Sequence, residues 1–294
     1  MAILLFGATG MLGQAIAVES QRRGLVLIGA SRHGPDRTVD LADAKDAREL
    51  MRAIRPDLII NAAAMASIEA CERDPALAYR VNTAAVATMS EYCRSAGIPF
   101  VHISTDHFFT GDGDAPHGES APVTLLNEYA RTKYLAEGFA LVPPRALVLR
   151  TNVTGFRRRR DDPTFVEWAL DAIERRKPLR LFEDYFTSTI DASSFVASMF
   201  DLLTRRATGL VNVGARAITS KRHFVQALAR SLGIWLDWDE PASVATLVPQ
   251  RAESLGLDVA KAERLLGHAL PDTELVCRNL VSQWKEQCAI PLAS

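Results

Sequence analysis

The first thirteen residues join a short apolar run to three evenly spaced glycines. Residues 2–6 are continuously apolar, which predicts a parallel strand buried on both faces. Glycines follow at positions 7, 10 and 13, and residues 14–23 can continue as a helix. Gly7 permits a tight turn, Gly10 lets a pyrophosphate approach the backbone, and Gly13 lets the helix pack close to the strand. Because strand, turn and helix occur in this order, they predict a dinucleotide-binding site rather than an ordinary flexible turn.

The composition is that of an ordinary globular enzyme. Of the 294 residues, 48% are hydrophobic and 23% are charged, so the chain can bury a large core. A formal net charge of −1 gives no reason to expect nucleic acid or a membrane surface as a partner. No apolar run reaches membrane-spanning length and no signal peptide precedes the first strand, so we expect a cytoplasmic protein. The cysteines lack CxxC spacing and nearby histidines, which predicts reduced thiols and no metal site; they are Cys71, Cys93, Cys277 and Cys288.

The residues after the second predicted strand, 25–29, bear on the choice of nicotinamide cofactor. An NAD site usually places Asp or Glu about twenty residues after the glycines, where the carboxylate bonds the ribose 2′-hydroxyl. This chain has Ala30, Ser31, Arg32 and His33 there, and none of them is acidic. Because a cation suits a 2′-phosphate, Arg32 favours NADPH over NADH. The alternative is a solvated arginine on the surface.

Two more predicted strands end in residues suited to a ligand site. Residues 58–60 form an apolar strand that runs into Asn61 and three alanines. Small residues at the carboxyl end of a parallel strand let a cofactor lie against the backbone, although packing alone could also explain them. Residues 98–103 form the next strand and deliver Ser104, Thr105, Asp106 and His107 to the same edge. A hydroxyl group at that edge can hydrogen-bond a substrate carbonyl.

Tyr129 and Lys133 form the predicted chemical centre. They are four residues apart on a helix predicted to start at Asn127, so their side chains lie on one face. A phenol, with a pKa of about 10, is a poor acid at neutral pH, and we expect the Lys133 ammonium to lower that pKa. Thr105 would orient a carbonyl and Tyr129 would supply its proton. Tyr-x-x-x-Lys alone is often a chance surface pair, but chance is a poor explanation beside the glycine turn and the Thr105 strand end.

Together these motifs resemble those of the extended short-chain dehydrogenase/reductase superfamily, and within it the dTDP-4-dehydrorhamnose reductase branch. The similarity runs along nearly the whole chain. It is carried by Gly-Ala-Thr-Gly-Met-Leu-Gly (7–13), Asn-Ala-Ala-Ala (61–64), Arg-Val-Asn (80–82), Ile-Ser-Thr-Asp (103–106), Tyr-Ala-Arg-Thr-Lys (129–133), Leu-Arg-Thr (149–151), Gly-Leu-Val-Asn-Val-Gly (209–214) and the stretch 251–266.

The resemblance implies a role for each matching residue. Thr105, Tyr129 and Lys133 would be catalytic, and a C-terminal lobe would hold a nucleotide sugar. The cofactor would contact Gly7, Thr9, Gly10, Met11, Leu12, Ser31, Arg32, Asp40, Leu41, Ala62, Ala63 and Ala64, as well as Tyr129 and Lys133. The substrate would contact Asp106, His107, Asn152 and Val153.

Two departures from the branch's pattern concern the substrate. The branch has Ser-Thr-Asp-Tyr-Val-Phe-Asp-Gly where residues 104–111 read Ser-Thr-Asp-His-Phe-Phe-Thr-Gly, so His107 replaces a tyrosine beside the sugar. Rhamnose-forming members also carry an aromatic residue after Arg-Thr-Ser, where this chain has Asn152 and Val153. A pocket that loses two aromatic contacts is expected to hold a different sugar. The four arginines 157–160 could clamp a diphosphate, but two aspartates follow them and favour a solvated loop with local charge pairs.

We therefore expect an α/β fold, namely a Rossmann doubly wound parallel sheet with helices on both faces and a small mixed α/β C-terminal lobe for the substrate. The dinucleotide-binding domain would span residues 1–150, with its sheet completed by about 187–214. The lobe would comprise residues 151–186 and 215–294.

The expected function is the NADPH-dependent reduction of a keto-sugar, with a nucleoside-diphosphate 4-keto-sugar as substrate and Tyr129 as general acid. An epimerase or dehydratase of the same superfamily is an alternative, although dehydratases carry glutamate where this chain has His107. A non-catalytic NADP-binding regulatory subunit, like that of methionine adenosyltransferase, is a second alternative. The sequence leaves open which sugar and nucleotide bind and whether the chain forms a homodimer.

Overall fold

The structure is a computed structural model that describes residues 2–34, 36–157, 159 and 161–289. Its strands are β1 (Ala2–Phe6), β2 (Val26–Ser31), β3 (Arg37–Thr38), β4 (Leu58–Asn61), β5 (Phe100–Ile103), β6 (Ala146–Arg150), β7 (Asn152–Thr154), β8 (Leu179–Phe182), β9 (Phe186–Thr187), β10 (Thr189–Asp191), β11 (Gly209–Asn212), β12 (Thr219–Ser220), β13 (Asp239–Ala242) and β14 (Ser254–Leu255). Its helices are α1 (Met11–Arg22), α2 (Ala44–Ile54), α3 (Ile68–Arg73), α4 (Pro75–Tyr79), α5 (Ala85–Ala96), α6 (Glu128–Ala140), α7 (Phe165–Glu174), α8 (Ala192–Thr204), α9 (Lys221–Ser231), α10 (Ala260–Leu266) and α11 (Thr273–Ala289).

The centre of the fold is a seven-stranded sheet in the order β11-β6-β5-β4-β1-β2-β3. Every neighbouring pair of strands in it is parallel. The chain starts in the middle, adds strands to one side and then returns to the other, so the order reverses between β1 and β4. A doubly wound sheet opens a ligand crevice at such a reversal, at the carboxyl ends of its strands. The doubly wound α/β fold expected from the sequence is confirmed.

β1 shows why the central strands are continuously apolar. Ile3 and Leu5 belong to a core on one face of the sheet, with residues of α1 and α8. Leu4 and Phe6 belong to a second core on the opposite face, with residues of α2 and α5. All four side chains are fully buried. Because alternate residues of a strand face opposite sides, helices on both faces require apolar residues at every position.

Much of the C-terminal part of the chain shares its core with the central sheet. Three small sheets lie outside that sheet: β7 with β10, β8 with β13, and β9 between β12 and β14. Of residues 187–214, which we expected to complete the central sheet, only β11 joins it in the described chain, since β10 pairs with β7. Phe224 of α9 and Leu280 of α11 belong to the same core as Ile3 of β1. The division into two domains near residue 150 stays a prediction.

The apolar pattern between Pro75 and Gly97 predicts one long helix, but the structure divides this segment. The chain forms α4, a π-helical turn over Arg80–Ala84, and then α5, while α3 was not predicted at all. Asn82 in this turn donates from Nδ2 to the Met65 carbonyl oxygen at 3.1 Å and to Thr132 Oγ1 at 3.1 Å. Because a π-helical turn inserts an extra residue, it directs this buried amide toward α6 and the loop after β4.

Among the described residues, no helix is both long and apolar enough to cross a membrane. The same part of the chain contains no group of three His, Cys, Asp or Glu side chains placed to hold a metal ion. Cys71, Cys93 and Cys277 are buried free thiols, and burial raises the pKa of Cys93 to about 12. The side chain of Cys288 lies outside the described residues.

A buried ion pair joins α6 to the two strands that lead into the candidate site. The Glu137 carboxylate accepts from Arg150 Nη2 at 2.7 Å and from Arg150 Nε at 2.9 Å, and the two side chains are only 5% and 3% exposed. The Ser104 hydroxyl donates to the same carboxylate at 2.6 Å. Arg150 also lies over the Phe108 ring at 5.1 Å and donates to the Glu119 carbonyl oxygen at 3.3 Å. The pair therefore fixes α6 against β5, β6 and the loop that follows β5.

Replacing Glu137 with alanine is expected to lower the free energy of unfolding by about 3–5 kcal/mol, because the Arg150 guanidinium stays buried without its countercharge. Urea titration measures the loss. Glu49→Ala is the matched control, since Glu49 faces Lys45 at 3.8 Å on the exposed side of α2 and such pairs contribute about 0–1 kcal/mol. Equal losses for the two variants would show that the buried pair does not hold the fold together.

Candidate active site

The glycine turn after β1 has the close approaches that its sequence predicts. Gly7 has a φ of +87°, and a Cβ there would lie 2.7 Å from the Ala63 backbone nitrogen. At Gly13 a Cβ would lie 2.1 Å from the Gly7 carbonyl oxygen and 2.8 Å from the Ala8 backbone. Only glycine avoids these clashes. Gly13 thus lets α1 approach the turn that directly follows β1.

The N-terminus of α1 offers free backbone donors at this turn. Gly10 is its N-cap residue, and no side chain of the described residues caps the helix there. Gly10 is exposed, and the Gly7 carbonyl oxygen is the only described atom that a Cβ there would approach within 4 Å. The first N–H groups of a helix and the positive end of its dipole attract phosphate. The turn therefore fits the pyrophosphate of a dinucleotide.

The end of β2 carries the residues expected to contact the adenosine ribose. Arg32 is exposed, and the Ser31 Oγ is buried without a hydrogen-bond partner among the described residues. An unpartnered hydroxyl group fits a ribose or phosphate oxygen. Sequence reasoning missed Asp36, whose Oδ2 accepts from the Gly29 backbone N–H at 2.7 Å. Asp36 lies just before β3, and its carboxylate accepts the β2 backbone hydrogen bond that a neighbouring strand would otherwise accept. This oxygen is therefore already used within the fold.

The other predicted cofactor residues lie either at the crevice or in the core. Ala62 and Ala63 follow β4 and abut Gly7, and the Ala62 N–H donates to the Phe6 carbonyl oxygen at 3.0 Å. Leu12 and Leu41 are at most 9% exposed and belong to the two cores, so most of their side-chain surface is used in packing. The remaining four are at least partly exposed: Thr9, Met11, Asp40 and Ala64.

Thr105 and Tyr129 lie together at the carboxyl end of the sheet. Asn127 caps α6 by accepting from the Ala130 N–H at 2.9 Å, so Tyr129 falls in the first turn of the helix. Burial raises the pKa of Tyr129 to about 12, and a hydrogen bond with Thr105 offsets only part of this rise. The nearby Asp106 carboxylate raises it further. The phenol is therefore protonated at neutral pH and suited to donate a proton.

The expected lowering of the Tyr129 pKa by Lys133 is wrong. Lys133 Nζ instead donates to the Ile103 carbonyl oxygen at 2.6 Å and lies 3.4 Å from His102 Nε2. Burial lowers the pKa of Lys133 to about 8, against the opposing effect of Glu137. The amine is thus anchored to the end of β5, and desolvation rather than a neighbouring cation dominates the pKa of the phenol.

His102 connects Lys133 to the end of β4. Burial and the neighbouring Lys133 both lower the pKa of His102, so its ring is neutral. Asn61 Oδ1 accepts from the Ala63 N–H at 3.1 Å, which leaves the Asn61 amide group to donate to His102 Nδ1 at 3.1 Å. The His102 ring therefore lies between the Asn61 amide group and the Lys133 amine. This chain of contacts couples the position of Lys133 to the crevice.

A second chain of hydrogen bonds runs from Asp106 into the C-terminal part. Asn152 Nδ2 donates to Asp106 Oδ2 at 2.9 Å, Thr189 Oγ1 donates to Asn152 Oδ1 at 2.9 Å, and Lys221 Nζ donates to Thr189 Oγ1 at 3.3 Å. The other Asp106 oxygen lies 3.5 Å from Thr105 Oγ1. Burial raises the pKa of Asp106 to about 7 and lowers that of Lys221 to about 8, and each charge partly offsets the effect on the other.

A cavity of ≈ 380 Å³ opens beside Tyr129. Of the four predicted substrate residues, His107 and Asn152 line it, whereas Asp106 and Val153 are not part of its described lining. Most of the lining was missed, including Phe165, Phe182, Tyr185, Lys221 and Arg251. Three of these residues are aromatic, so the C-terminal part supplies aromatic contacts that the two departures from the branch's pattern do not remove. No motif marks these residues, so the sequence held no signal for them.

His107 forms part of the cavity wall as a neutral ring. Its centroid lies 5.6 Å from that of Tyr129 in an edge-on arrangement, and its Nε2 lies 3.4 Å from the Tyr185 hydroxyl. Burial lowers the pKa of His107 to about 3, and the cations Lys221 and Arg251 act in the same direction. At neutral pH the ring therefore carries no charge and cannot replace a carboxylate.

The arginine run is only partly visible. Arg158 and Arg160 lie outside the described residues. Arg157 pairs with Asp162 through its guanidinium, and its backbone N–H donates to Glu167 Oε1 at 3.0 Å. These contacts agree with the solvated loop and its local charge pairs rather than with a free diphosphate clamp.

Known proteins with similar sequences and structures place this site in a family. The chain matches the family model described as RmlD substrate binding domain over residues 1–281. It is 28% identical to dTDP-4-dehydrorhamnose reductase of Salmonella typhimurium, covering 96% of this chain and 98% of that protein. It is also 28% identical to "Probable low-salt glycan biosynthesis reductase Agl14" of Haloferax volcanii, covering 91% of this chain and 93% of that protein.

A solved structure agrees with the sequence comparisons at the level of the fold. The dTDP-4-dehydrorhamnose reductase from Bacillus anthracis, in complex with NADP, has a TM-score of 0.84 at 20% identity, covering 96% of this chain and 99% of that one. With its glycine turn, Tyr129 and Lys133 inside the matched residues 1–281, the chain belongs to the RmlD substrate binding domain family.

Proposed function

We propose that the protein is an NADPH-dependent reductase of a keto-sugar carried on a nucleoside diphosphate. One observation carries the proposal: Thr105, Tyr129 and the α1 glycine turn lie at one sheet edge, beside a cavity lined largely by C-terminal side chains. The names of two relatives support it, since one is a dTDP-4-dehydrorhamnose reductase and the other is named "Probable low-salt glycan biosynthesis reductase Agl14". The complex of the Bacillus anthracis relative with NADP supports the choice of cofactor.

Tyr129 and Thr105 would act on the carbonyl oxygen of the substrate. Because its pKa is raised, the Tyr129 phenol holds its proton at neutral pH and can donate it as the carbonyl oxygen gains negative charge. The Thr105 hydroxyl, next to the phenol, orients the same oxygen. NADPH, when bound, would supply the hydride. Lys133, anchored to the Ile103 carbonyl oxygen, keeps further N–H donors for a ribose hydroxyl of the cofactor.

Two other functions are compatible with the fold. A dehydratase is disfavoured, because His107 is neutral where such enzymes have a glutamate. An epimerase would return its cofactor unchanged, so stoichiometric oxidation of NADPH by a keto-sugar separates it from a reductase. A non-catalytic regulatory subunit would bind NADPH and a protein partner without turnover of any keto-sugar. Residence in the cytoplasm and assembly as a homodimer stay predictions.

The binding part of the proposal can be tested with a panel of nucleotide sugars. A ligand of the folded state raises the melting temperature by mass action, so sugars that fit should add to the stabilisation that NADPH gives alone. Sugars that stabilise the protein identify the nucleotide to use in turnover assays. If no nucleotide sugar in a broad panel adds to the effect of NADPH, the proposed substrate class is wrong.

Tyr129→Phe should lower the rate of carbonyl reduction by roughly 10²-fold or more, because it removes the proton donor and leaves the ring in place. NADPH binding and thermal stability should stay close to wild type. Tyr134→Phe is a matched control, since Tyr134 is 39% exposed on the same helix. Near-normal turnover by Tyr129→Phe would remove Tyr129 from the proposed role.

Arg32→Asp should weaken NADPH binding about ten- to a hundredfold, the value of a charge-assisted contact with the 2′-phosphate. NADH binding should stay the same or improve, because a carboxylate can bond the ribose hydroxyls. Arg94→Asp is the control, since Arg94 is exposed near the end of α5, which leads into the amino end of β5, whereas the crevice lies at the carboxyl ends of the strands. Titration of both cofactors decides the point, and equal affinity of wild type for NADH and NADPH would make Arg32 only a surface residue.

Activity on dTDP-4-dehydrorhamnose itself should be weak or absent, because His107 and Asn152 replace aromatic residues and Lys221 adds a cation to the cavity. A coupled assay that forms the substrate in place and follows NADPH oxidation measures this. Efficient formation of dTDP-rhamnose would show that these departures do not change the substrate.

A further inference from the structure

Lys221 is the first residue of α9, and its ammonium group reaches the cavity beside Tyr129. A cation at the N-terminal end of a helix is unfavourable, since the helix dipole is positive there. Its Nζ lies 4.9 Å from the centroid of the Phe165 ring and 5.7 Å from that of Tyr185, which shield it partly from water. Desolvation and the dipole of α9 both disfavour the charged form of Lys221. We therefore expect a ligand in the cavity to compensate the charge of this ammonium group.

The described residues satisfy only part of this ammonium group. Its single hydrogen bond among them goes to Thr189 Oγ1 at 3.3 Å, although a lysine carries three donors. The Asp106 carboxylate attracts the ammonium group, but among the described residues no ion pair within 4.0 Å joins the two side chains. Asp106 instead accepts from Asn152 and faces Thr105. Two N–H donors of Lys221 therefore remain for a ligand.

A second cation of the cavity serves a different region. The Arg251 Nε is buried with no partner among the described residues, and its guanidinium pairs with Glu69 of α3. Lys221, by contrast, connects through Thr189 and Asn152 to Asp106, next to the reacting Thr105. If Arg251 takes a phosphate of the nucleotide, Lys221 is left to the sugar that must lie against Tyr129.

We propose that Lys221 binds an anionic oxygen group on the sugar, so that the keto-sugar reduced at this site carries a carboxylate in addition to its diphosphate. The inference rests on the proposed function, since it assigns the charge of the same substrate. The hydroxyl groups of a neutral deoxysugar would pair with these two N–H donors less strongly than an ionised group would. A carboxylate would pair with them and offset the desolvation of the ammonium group.

Matched pairs of nucleotide sugars test this assignment. UDP-glucose and UDP-glucuronate differ only in a hydroxymethyl group and a carboxylate, and so do UDP-galactose and UDP-galacturonate. Calorimetric titration of the protein saturated with NADP⁺ gives the four dissociation constants. In at least one pair the acid should bind about tenfold or more tightly than its neutral partner, the effect of one charge-assisted hydrogen bond.

Three variants identify the residue responsible. Lys221→Met should bring the acid and the neutral sugar within about twofold of each other, whereas Lys221→Arg should keep the preference because it keeps the charge. Lys177→Met is the control, since Lys177 is half exposed and pairs with Asp171 outside the cavity. Circular dichroism of the Lys221 variants checks that each is folded. If Lys221→Met does not fold, Lys221→Arg still tests the assignment, because it should keep the preference for the acidic sugar.

The outcomes separate this inference from the function on which it rests. If all four sugars bind and the acids bind no better, the protein is a nucleotide-sugar enzyme and the role of Lys221 is wrong. A preference that survives in Lys221→Met overturns the assignment to that residue. If none of the four binds to wild type, the inference about the charge of the sugar is overturned, whereas the proposed substrate class fails only if the wider panel of nucleotide sugars also gives no stabilisation.

Discussion

The ion pair between Arg150 and Glu137 is the contact on which the geometry of the site depends. It lies where β5, β6 and α6 meet, and each partner is almost fully buried. The same carboxylate holds Ser104, the neighbour of Thr105, while α6 carries Tyr129 and Lys133. Because a buried charge is tolerated only with its partner, this pair permits few relative positions of helix and strand. The Thr105–Tyr129 arrangement is thereby preorganised before any ligand binds.

Around this fixed centre, desolvation sets the protonation of the reacting groups. It keeps the Tyr129 phenol protonated, makes the His107 ring neutral and brings the pKa of Asp106 to about 7. The resulting site can donate a proton to a carbonyl but offers no glutamate for dehydration. The family of the chain and the name of its Salmonella relative agree with a reductase. The Lys221 ammonium group adds a positive charge to the lining of the cavity.

The fold is shared with enzymes that bind similar cofactors, so the fold alone does not choose the substrate. That choice lies in the C-terminal side chains that close the cavity. Phe165, Tyr185 and Lys221 come from three separate elements and surround one volume. Their combination of aromatic faces with one cation is unlike a neutral apolar pocket. It is the physical basis for expecting a charged sugar here.

The sequence by itself determined the features that arise from neighbours along the chain. The glycine turn, β1 and α1 are contiguous, and the Tyr129–Lys133 spacing follows from helical periodicity, so local pattern sufficed for them. Even the parallel sheet follows, because alternating apolar strands and helices allow few topologies. Only the tertiary structure could show that Lys133 bonds a backbone carbonyl, that burial dominates the pKa of Tyr129, or that the Asp36 carboxylate accepts from the backbone of β2. The Asp106–Asn152 and Lys221–Thr189 contacts join residues 46 and 32 positions apart, and such long-range pairing and the desolvation that accompanies it leave no periodic trace in the sequence.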